Sequence, residues 1–223
     1  MITVKIELKQ STEKYTLEEL YHIIEILRSP EGCPWDRIQT HKTLTKGMIE
    51  EAYETVDAIN KESTPKMIEE LGDVLLQVIF HSIIGTEDGE FGFDDVVDGC
   101  ARKMIFRHSH VFGDVNADDA KEALVNWEQM KTQEKGFSSL GEELDDIPSV
   151  FPALLKAQKV AKRIRKAGVN LPETSVNNID FSQDIGKILF DVCAEAEKQG
   201  LDADQLLREY TEKITKDAKE GVL

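Results

Sequence analysis

The chain has 223 residues, enough for one large domain or for a full domain with a smaller one, and 40% of the residues are apolar. With 43 acidic and 27 basic residues its net charge is -16, which argues against polymeric DNA or RNA as a partner because an acidic surface repels phosphate backbones. The three cysteines form no C-x-x-C pair and no apolar run reaches the roughly 18 residues of a membrane span, so we predict a cytoplasmic protein without membrane contact.

The N-terminal part contains one clear helix start. Residues 1–15 are interpreted as an arm, in which VKIEL alternates like a short strand. Thr16 and Glu19 have the spacing of a capping box, and apolar residues then recur at helical intervals to about Arg28. We therefore predict a first helix over residues 17–28.

A loop containing two prolines and a glycine follows this helix and carries Trp35, one of two tryptophans in the chain. The indole could stack on a nucleobase or pack as a lid on a helical bundle. The residues themselves leave both roles open.

Two further helices are predicted on either side of a short break around Ser63-Thr64-Pro65. The first runs from about Leu44 to Asn60, and the second has Pro65 in its first turn and continues to a turn that begins at Gly85. The second helix is apolar almost all round beyond Asp73 and must be buried on several sides. We expect it to lie at the centre of a bundle shared with a second subunit.

These two helices carry matching acidic clusters, E-E-x-x-E at residues 50–54 and E-E-x-x-D at residues 69–73. Carboxylates three residues apart on a helix project about 60° from each other, so an antiparallel hairpin would bring four of them together. A single helical glutamate usually belongs to a solvated face, but two facing clusters repel each other unless a cation lies between them. The four converging carboxylates are Glu51, Glu54, Glu70 and Asp73.

The ligand set indicates which cation and which substrate class to expect. Oxygen ligands alone favour Mg²⁺ or Mn²⁺ over Zn²⁺, and Mg²⁺ usually completes its shell with water and substrate phosphates. No G-x-x-x-x-G-K-[ST] or G-x-G-x-x-G motif is present to cradle phosphates. A small phosphate-bearing molecule is the predicted ligand.

Positive charge to meet such phosphates follows in a helix predicted over residues 93–107. Lys103 and Arg107 share a face of this helix and could grip the phosphates, although cations are also favoured in any last helical turn. His108 and His110 could be ligands or buried structural histidines. A further helix, roughly Ala117 to Lys135, contains Trp127.

The second half contains a linker and a diverged internal repeat. Residues 136–152 are interpreted as the linker because of their glycines, serines and prolines. Residues 184–190 align with residues 70–76, with Lys187 in the position of Asp73, and no acidic helix precedes them. We therefore expect residues 153–223 to form a degenerate second helical domain that has lost its metal site.

Four motifs carry a family resemblance. The runs CPWDRIQTH, EEAYETVDAI, EELGDVLLQVIFH and KMIFRHSHVFGD occur in this order, and residues 16–135 closely resemble the MazG family of nucleoside triphosphate pyrophosphohydrolases. The later run ALLKAQKVAKRIRKAGVNL is similar to the second domain of two-domain members.

This resemblance implies an all-α MazG-type helical bundle completed by dimerisation, with residues 16–135 as the catalytic domain. It implies Mg²⁺-dependent hydrolysis of nucleoside triphosphates to the monophosphate and pyrophosphate, with Mn²⁺ as an alternative ion. The implied metal ligands are the four carboxylates above, which with Glu50 as a candidate base form the catalytic set. The implied substrate-binding set is Trp35, Gly47, Glu50, Glu69, Lys103, Arg107, His108, His110 and Trp127.

Two rival functions remain from the residues. A non-catalytic nucleotide sensor or helical scaffold would also explain a degenerate second repeat and an apolar helix. A di-iron bundle would need Glu-x-x-His motifs, and none accompanies the acidic clusters.

Overall fold

All regular secondary structure in the described residues is α-helical. A computed structural model describes residues 9–10, 12–170, 185–189, 192 and 199–222, and these contain no β-strand, which confirms the predicted all-α class. None of the described helices is long and apolar enough to cross a membrane. The helices with full bounds are α1 (Leu17–Arg28), α2 (Pro34–Arg37), α3 (Thr45–Asn60), α4 (Thr64–Asp88), α5 (Phe93–Arg107), α6 (Ser109–Phe112), α7 (Ala120–Lys135), α8 (Leu140–Asp145), α9 (Ala153–Lys166) and α10 (Ala203–Lys219).

The chain divides into two compact units between Asp114 and Val115. The first contains α1 to α6 and the second contains α7 to α10. From sequence we placed α7 with the first domain, whereas it belongs to the second compact unit.

The first unit is built on a capped helix and an apolar core. The Thr16 side chain accepts a hydrogen bond from the Glu19 amide, and the Glu19 side chain accepts one from the Thr16 amide, so the predicted capping box is confirmed. Helices α1 and α4 supply most of the core of this unit. The buried residues of the core are Ile24, Leu44, Ile79, Phe80, Ile83 and Ile84.

Helices α3 and α4 form an antiparallel hairpin joined by a three-residue turn. The amide of Ser63 donates to the carbonyl of Ala58, and Glu62 adopts the left-handed conformation with φ 52°. This arrangement satisfies carbonyls at the end of α3 in the way that a glycine usually allows. The turn reverses the chain so sharply that the two acidic clusters lie beside each other.

Helix α4 continues past the predicted turn. It ends at Asp88 rather than at Gly85, and Gly89 closes it in the left-handed conformation with φ 72°. A Cβ on Gly85 would lie 2.7 Å from the Phe91 ring, so the glycine is required by the close approach of this ring rather than by a turn. The prediction that Gly85 begins the turn was therefore wrong.

Two histidines of the first unit pack against each other. His41 and His81 stack with ring centroids 5.0 Å apart, and their Nδ1 atoms lie 2.7 Å from each other. Burial, and then the neighbouring His41, lower the pKa of His81 below its usual value. The pair packs beside Phe91, whose ring centroid lies 5.8 Å from that of His41.

The second unit has its own core. Helix α7 begins at Ala120 because the Asp119 side chain caps the amides of Lys121 and Glu122. Helix α8 lies inside residues 136–152, which we interpreted as a linker, and these residues contribute Leu144 and Ile147 to the core. The remaining buried members are Val160, Ile164 and Ala218.

The predicted repeat lies only partly in the described residues. Residues 185–189 are helical. The stretch judged too short and too polar for an acidic helix, residues 170–183, lies outside the described residues except for Asn170, and the predicted strand VKIEL lies wholly outside them.

Candidate metal centre

Three carboxylates of the hairpin converge. Glu51 on α3 and Glu70 and Asp73 on α4 each place one carboxylate oxygen within 4.8 Å of the others. Glu70 is buried, with 5% of its side chain exposed, and the other two are half-buried. In the described part of the chain this is the one such group of three acidic, histidine or cysteine side chains.

The hairpin register explains this convergence. Glu51 lies eleven residues before Glu62 and Asp73 lies eleven after it, so the two face each other across the hairpin. Glu54 and Glu70 are related in the same way, each eight residues from the turn. Glu54 remains exposed and lies outside the group of three oxygens, although its charge still acts on Glu51.

The electrostatics of this cluster fit a cation. Burial raises the pKa of Glu51 above its usual value, and repulsion from Asp73, Glu54 and Glu70 raises it further. The nearest described countercharge is Lys66, whose Nζ lies 3.5 Å from Glu70 Oε1. The acidic neighbours Glu69 and Glu70 raise the pKa of Lys66, which keeps its ammonium charged.

The donor set fits a divalent metal ion. Oxygens on opposite sides of Mg²⁺ are about 4.2 Å apart, given Mg–O distances near 2.1 Å. Adjacent oxygens are about 3.0 Å apart, so oxygens within 4.8 Å of one another need a closure of up to about 2 Å, which side-chain rotation can supply. An ion would also remove the repulsion that raises the pKa of Glu51.

The outer glutamates of the two clusters face solvent. Glu50 is exposed and pairs with Lys46, whose Nζ lies 3.1 Å from Glu50 Oε1. Glu69 is also exposed and acts on Lys66 by charge. Neither belongs to the converging group of oxygens.

Gln77 is a site residue that sequence reasoning missed. It lies one helical turn after Asp73, is 9% exposed, and its Oε1 is buried without a hydrogen-bond partner among the described residues. A Cβ on Gly47 would lie 2.9 Å from Gln77 Nε2, so Gly47 lets α3 approach this side chain. The spacing of four residues places Gln77 on the same helix face as Asp73, and this is the sequence feature that could have predicted its position.

Arg28 holds in place the loop that carries Trp35 and that contains the short helix α2. This arginine has 4% of its side chain exposed and binds both carboxylate oxygens of Glu87 on α4, through Nε at 3.0 Å and Nη2 at 2.5 Å. Its Nη1 donates to the carbonyls of Asp36 and Gln39 in the loop. Trp35 itself is 62% exposed, so its indole is available to a ligand.

The predicted basic partners lie at the end of α5, which packs against α4. Lys103 is half-buried and Arg107 is 8% exposed. His108 Nδ1 lies 2.6 Å from the Met104 carbonyl and therefore carries a hydrogen toward it. His110 stacks at a tilt on His108, with ring centroids 5.6 Å apart, and its buried Nδ1 has no partner among the described residues.

Trp127, the last predicted substrate residue, lies on α7 in the second unit. Its ring carries the Lys131 ammonium at 5.2 Å from the centroid. It lines a cavity formed with α8 and α9.

Comparison of the sequence with known proteins shows the family of this chain. The family model of the MazG nucleotide pyrophosphohydrolase domain matches residues 39–112. The nucleoside triphosphate pyrophosphohydrolase/pyrophosphatase MazG of Thermotoga maritima is 37% identical over 213 residues, which cover 88% of this chain and 82% of that protein. The chain belongs to the MazG family.

Other MazG relatives are longer than the matched region. The nucleoside triphosphate pyrophosphohydrolase of Escherichia coli is 42% identical over 153 residues, covering 68% of this chain and 58% of that protein. The uncharacterised protein YabN of Bacillus subtilis is 51% identical over 150 residues, covering 64% of this chain and 30% of that protein. The chain thus spans less than two thirds of both.

The MazG match contains the clustered carboxylates and the end of α5. Trp35 and Trp127 fall outside residues 39–112. The hairpin is therefore the part of the MazG domain to test first.

We expect Glu51→Gln to stabilise the metal-free protein, with a rise in Tm of about 2–4 °C. The raised pKa of Glu51 means that its charged form is less favourable in the folded protein than in the unfolded chain, so removing the charge relieves repulsion. Thermal unfolding of wild type and of Glu51→Gln in EDTA measures this change in Tm.

The exposed Glu90 in the α4–α5 turn supplies a control, since Glu90→Gln removes the same charge away from the cluster. Added Mg²⁺ should raise the Tm of wild type and of Glu90→Gln but not that of Glu51→Gln. A fall in Tm for Glu51→Gln in EDTA would contradict the repulsion argument.

Proposed function

We propose that the protein is a Mg²⁺-dependent nucleoside triphosphate pyrophosphohydrolase that releases pyrophosphate and the nucleoside monophosphate. The observation that carries this proposal is the group of three carboxylate oxygens within 4.8 Å on the hairpin of a MazG domain. The printed names of the Thermotoga and Escherichia relatives agree with it.

Glu51, Glu70 and Asp73 would hold the ion, and Glu54 would join them by a change of rotamer from its exposed position. The ion, with Mn²⁺ as an alternative, supplies neutralisation of phosphate charge and acidification of a water. Lys66 would leave Glu70 when the ion enters, because the same carboxylate cannot serve both fully.

The other residues would orient and activate the substrate. Glu50 is exposed beside the ligand Glu51 and would accept the proton of the attacking water, with Glu69 as its counterpart on α4. Lys103 and Arg107 would bind phosphate oxygens, with His108 and His110 beside them. The exposed Trp35, held in place through the Arg28 contacts to its loop, would stack on the base.

A pyrophosphate-release assay tests this proposal. The full chain is incubated with Mg²⁺ and a panel of canonical and damaged nucleoside triphosphates, and Glu54→Gln serves as the variant. We expect release from at least one substrate, loss of release in EDTA, and slower release by the variant.

Tight nucleotide binding without release from any substrate would instead indicate a sensor. Release by Glu54→Gln at the wild-type rate would remove Glu54 from the site. Cys33 and Cys100 are free thiols, which fits a reducing compartment such as the cytoplasm.

We further propose that the hairpin pairs with a second copy of the chain. Its apolar side chains on the face about 160° from the carboxylates are exposed, including Tyr53 at 62%, Val56 at 52% and Ile68 at 69%. Apolar rows of this kind on adjoining helices favour a self-complementary interface. Residues 74–85 of α4, beyond Asp73, are already buried or half-buried in the first unit, so this interface would cover the part of the hairpin near its turn.

Sedimentation measures the predicted dimer. Wild type should sediment at twice the 25.2 kDa chain mass, and Tyr53→Glu combined with Ile68→Glu should sediment as a single chain. Val150→Glu, which changes a side chain 84% exposed in the second unit, is the control and should stay dimeric. A single-chain mass for wild type would refute the interface.

A further inference from the structure

The second unit contains a basic cavity that the proposed hydrolysis does not use. It lies among α7, α8 and α9, has a volume of about 160 Å³, and is lined on one side by Trp127 and Phe137. Its basic lining residues are Lys131, Lys135, Lys159, Lys162, Arg163 and Lys166. Six cations around one cavity are unexpected in a chain of net charge -16.

Three carboxylates line the cavity and do not balance these cations. Glu128 accepts hydrogen bonds from both Lys166 and Lys162, the latter at 3.1 Å. Asp146 accepts from Lys135 at 2.9 Å and from Arg163 at 3.2 Å. Each of these carboxylates is shared by two cations, and Glu143 adds the third negative charge, so the cavity keeps an excess of positive charge.

The two shared carboxylates remain ionised. The hydrogen bond from Lys166 lowers the pKa of Glu128 below its usual value, and the Lys162 bond adds to this. The Lys135 hydrogen bond lowers the pKa of Asp146, and the bond from Arg163 adds to this. Both carboxylates therefore remain acceptors for the cations that they share.

The guanidinium of Arg163 adds a hydrogen-bond donor with a fixed direction. Its Nη2 binds Asp146, while its Nη1 is buried with no hydrogen-bond partner among the described residues. A buried donor without a partner is costly, and the planar fork of arginine is suited to phosphate oxygens. Lys131, over the Trp127 ring, and Lys159 lie on the same cavity.

The volume limits the ligand. A cavity of about 160 Å³ has room for a small group of water molecules, so a compact anion of one or two phosphate groups fits it. We propose that this cavity binds a diphosphate moiety, either free pyrophosphate or the phosphate tail of a nucleotide, through Arg163, Lys131 and Lys159. This binding does not depend on hydrolysis at the hairpin.

Isothermal titration calorimetry of the full chain with pyrophosphate, in EDTA and low salt, tests the proposal. EDTA removes metal-bridged binding at the hairpin, and the heat lost in Lys131→Gln identifies the part that comes from the basic cavity. We expect one equivalent of pyrophosphate, with affinity that falls as salt rises. Arg163→Gln and Lys131→Gln should each weaken binding by about tenfold, because each removes a charged donor.

Lys131→Gln leaves both ion-paired carboxylates intact, so it tests the site even if Arg163→Gln unfolds the unit. Lys216→Gln is the matched control, since Lys216 lies on α10, is 72% exposed and does not line the cavity. Asp73→Asn should also bind as wild type, which separates this cavity from the hairpin.

Parallel titration with ATP distinguishes the two sources of the ligand: tighter binding of pyrophosphate assigns the free anion, and tighter binding of ATP assigns the nucleotide tail. The proposal is overturned if neither binds, or if Lys131→Gln and Lys216→Gln bind pyrophosphate equally well.

Discussion

Asp73→Asn is expected to lower kcat for pyrophosphate release by roughly 10²–10³-fold, the range for loss of one principal electrostatic group in an active site. Asparagine keeps the shape of the side chain but removes one of the charges that would bind the ion. The three carboxylates share one small volume, so the remaining pair binds a divalent ion less tightly. Steady-state kinetics across a Mg²⁺ titration measure both effects.

Lys187→Gln is the matched control, because Lys187 occupies the position of Asp73 in the diverged repeat and its side chain is exposed. Turnover by this variant should equal that of wild type if the second repeat has lost its metal site, as the sequence predicts. Near-normal turnover by Asp73→Asn at saturating Mg²⁺ would reduce its role to metal affinity alone. Near-normal turnover at every Mg²⁺ concentration would remove it from the site.

Arg28→Leu is expected to destabilise the first unit by about 2–4 kcal/mol. Leucine fills part of the buried space but leaves the carbonyls of Asp36 and Gln39 without their donor and Glu87 without its partner. The loop that carries Trp35 should loosen as well, so KM for nucleotide should rise together with the loss of stability. Chemical denaturation and steady-state kinetics measure the two changes.

Arg102→Gln controls for the loss of an arginine from the same unit. Arg102 pairs with Asp98 at 2.6 Å, but 78% of its side chain is exposed, so we expect a much smaller change in stability than for Arg28→Leu. Equal destabilisation by the two variants would show that the buried contacts of Arg28 contribute nothing beyond a surface pair.

The parts of the fold that sequence predicted are those set by local chemistry. The Thr16 capping box fixed the start of α1, and Pro65 in a first turn fixed the start of α4. The end of α4 was not predictable in this way, because the reason for Gly85 is the ring of Phe91 six residues later. Helix α8 was missed because its short sequence reads as a turn until Leu144 is buried in a core that α9 and α10 complete.

The same distinction between local and distant causes applies to the candidate site. Helical spacing and a hairpin were sufficient to predict that Glu51, Glu70 and Asp73 converge. They could not show that Glu54 points to solvent, since this depends on the register at the turn. The roles of Lys66 and Gln77 depend on side-chain contacts and burial, which no spacing rule supplies.

The closeness of the three carboxylates along the chain has a consequence for biosynthesis. Glu51 and Asp73 are only 22 positions apart, and the turn between them is local, so the contacts that assemble the site have low sequence separation. Domains generally fold as units, the N-terminal one first, while the rest of the chain is still being made. The nascent polypeptide should therefore be able to assemble this carboxylate cluster on the ribosome, before α10 has been translated.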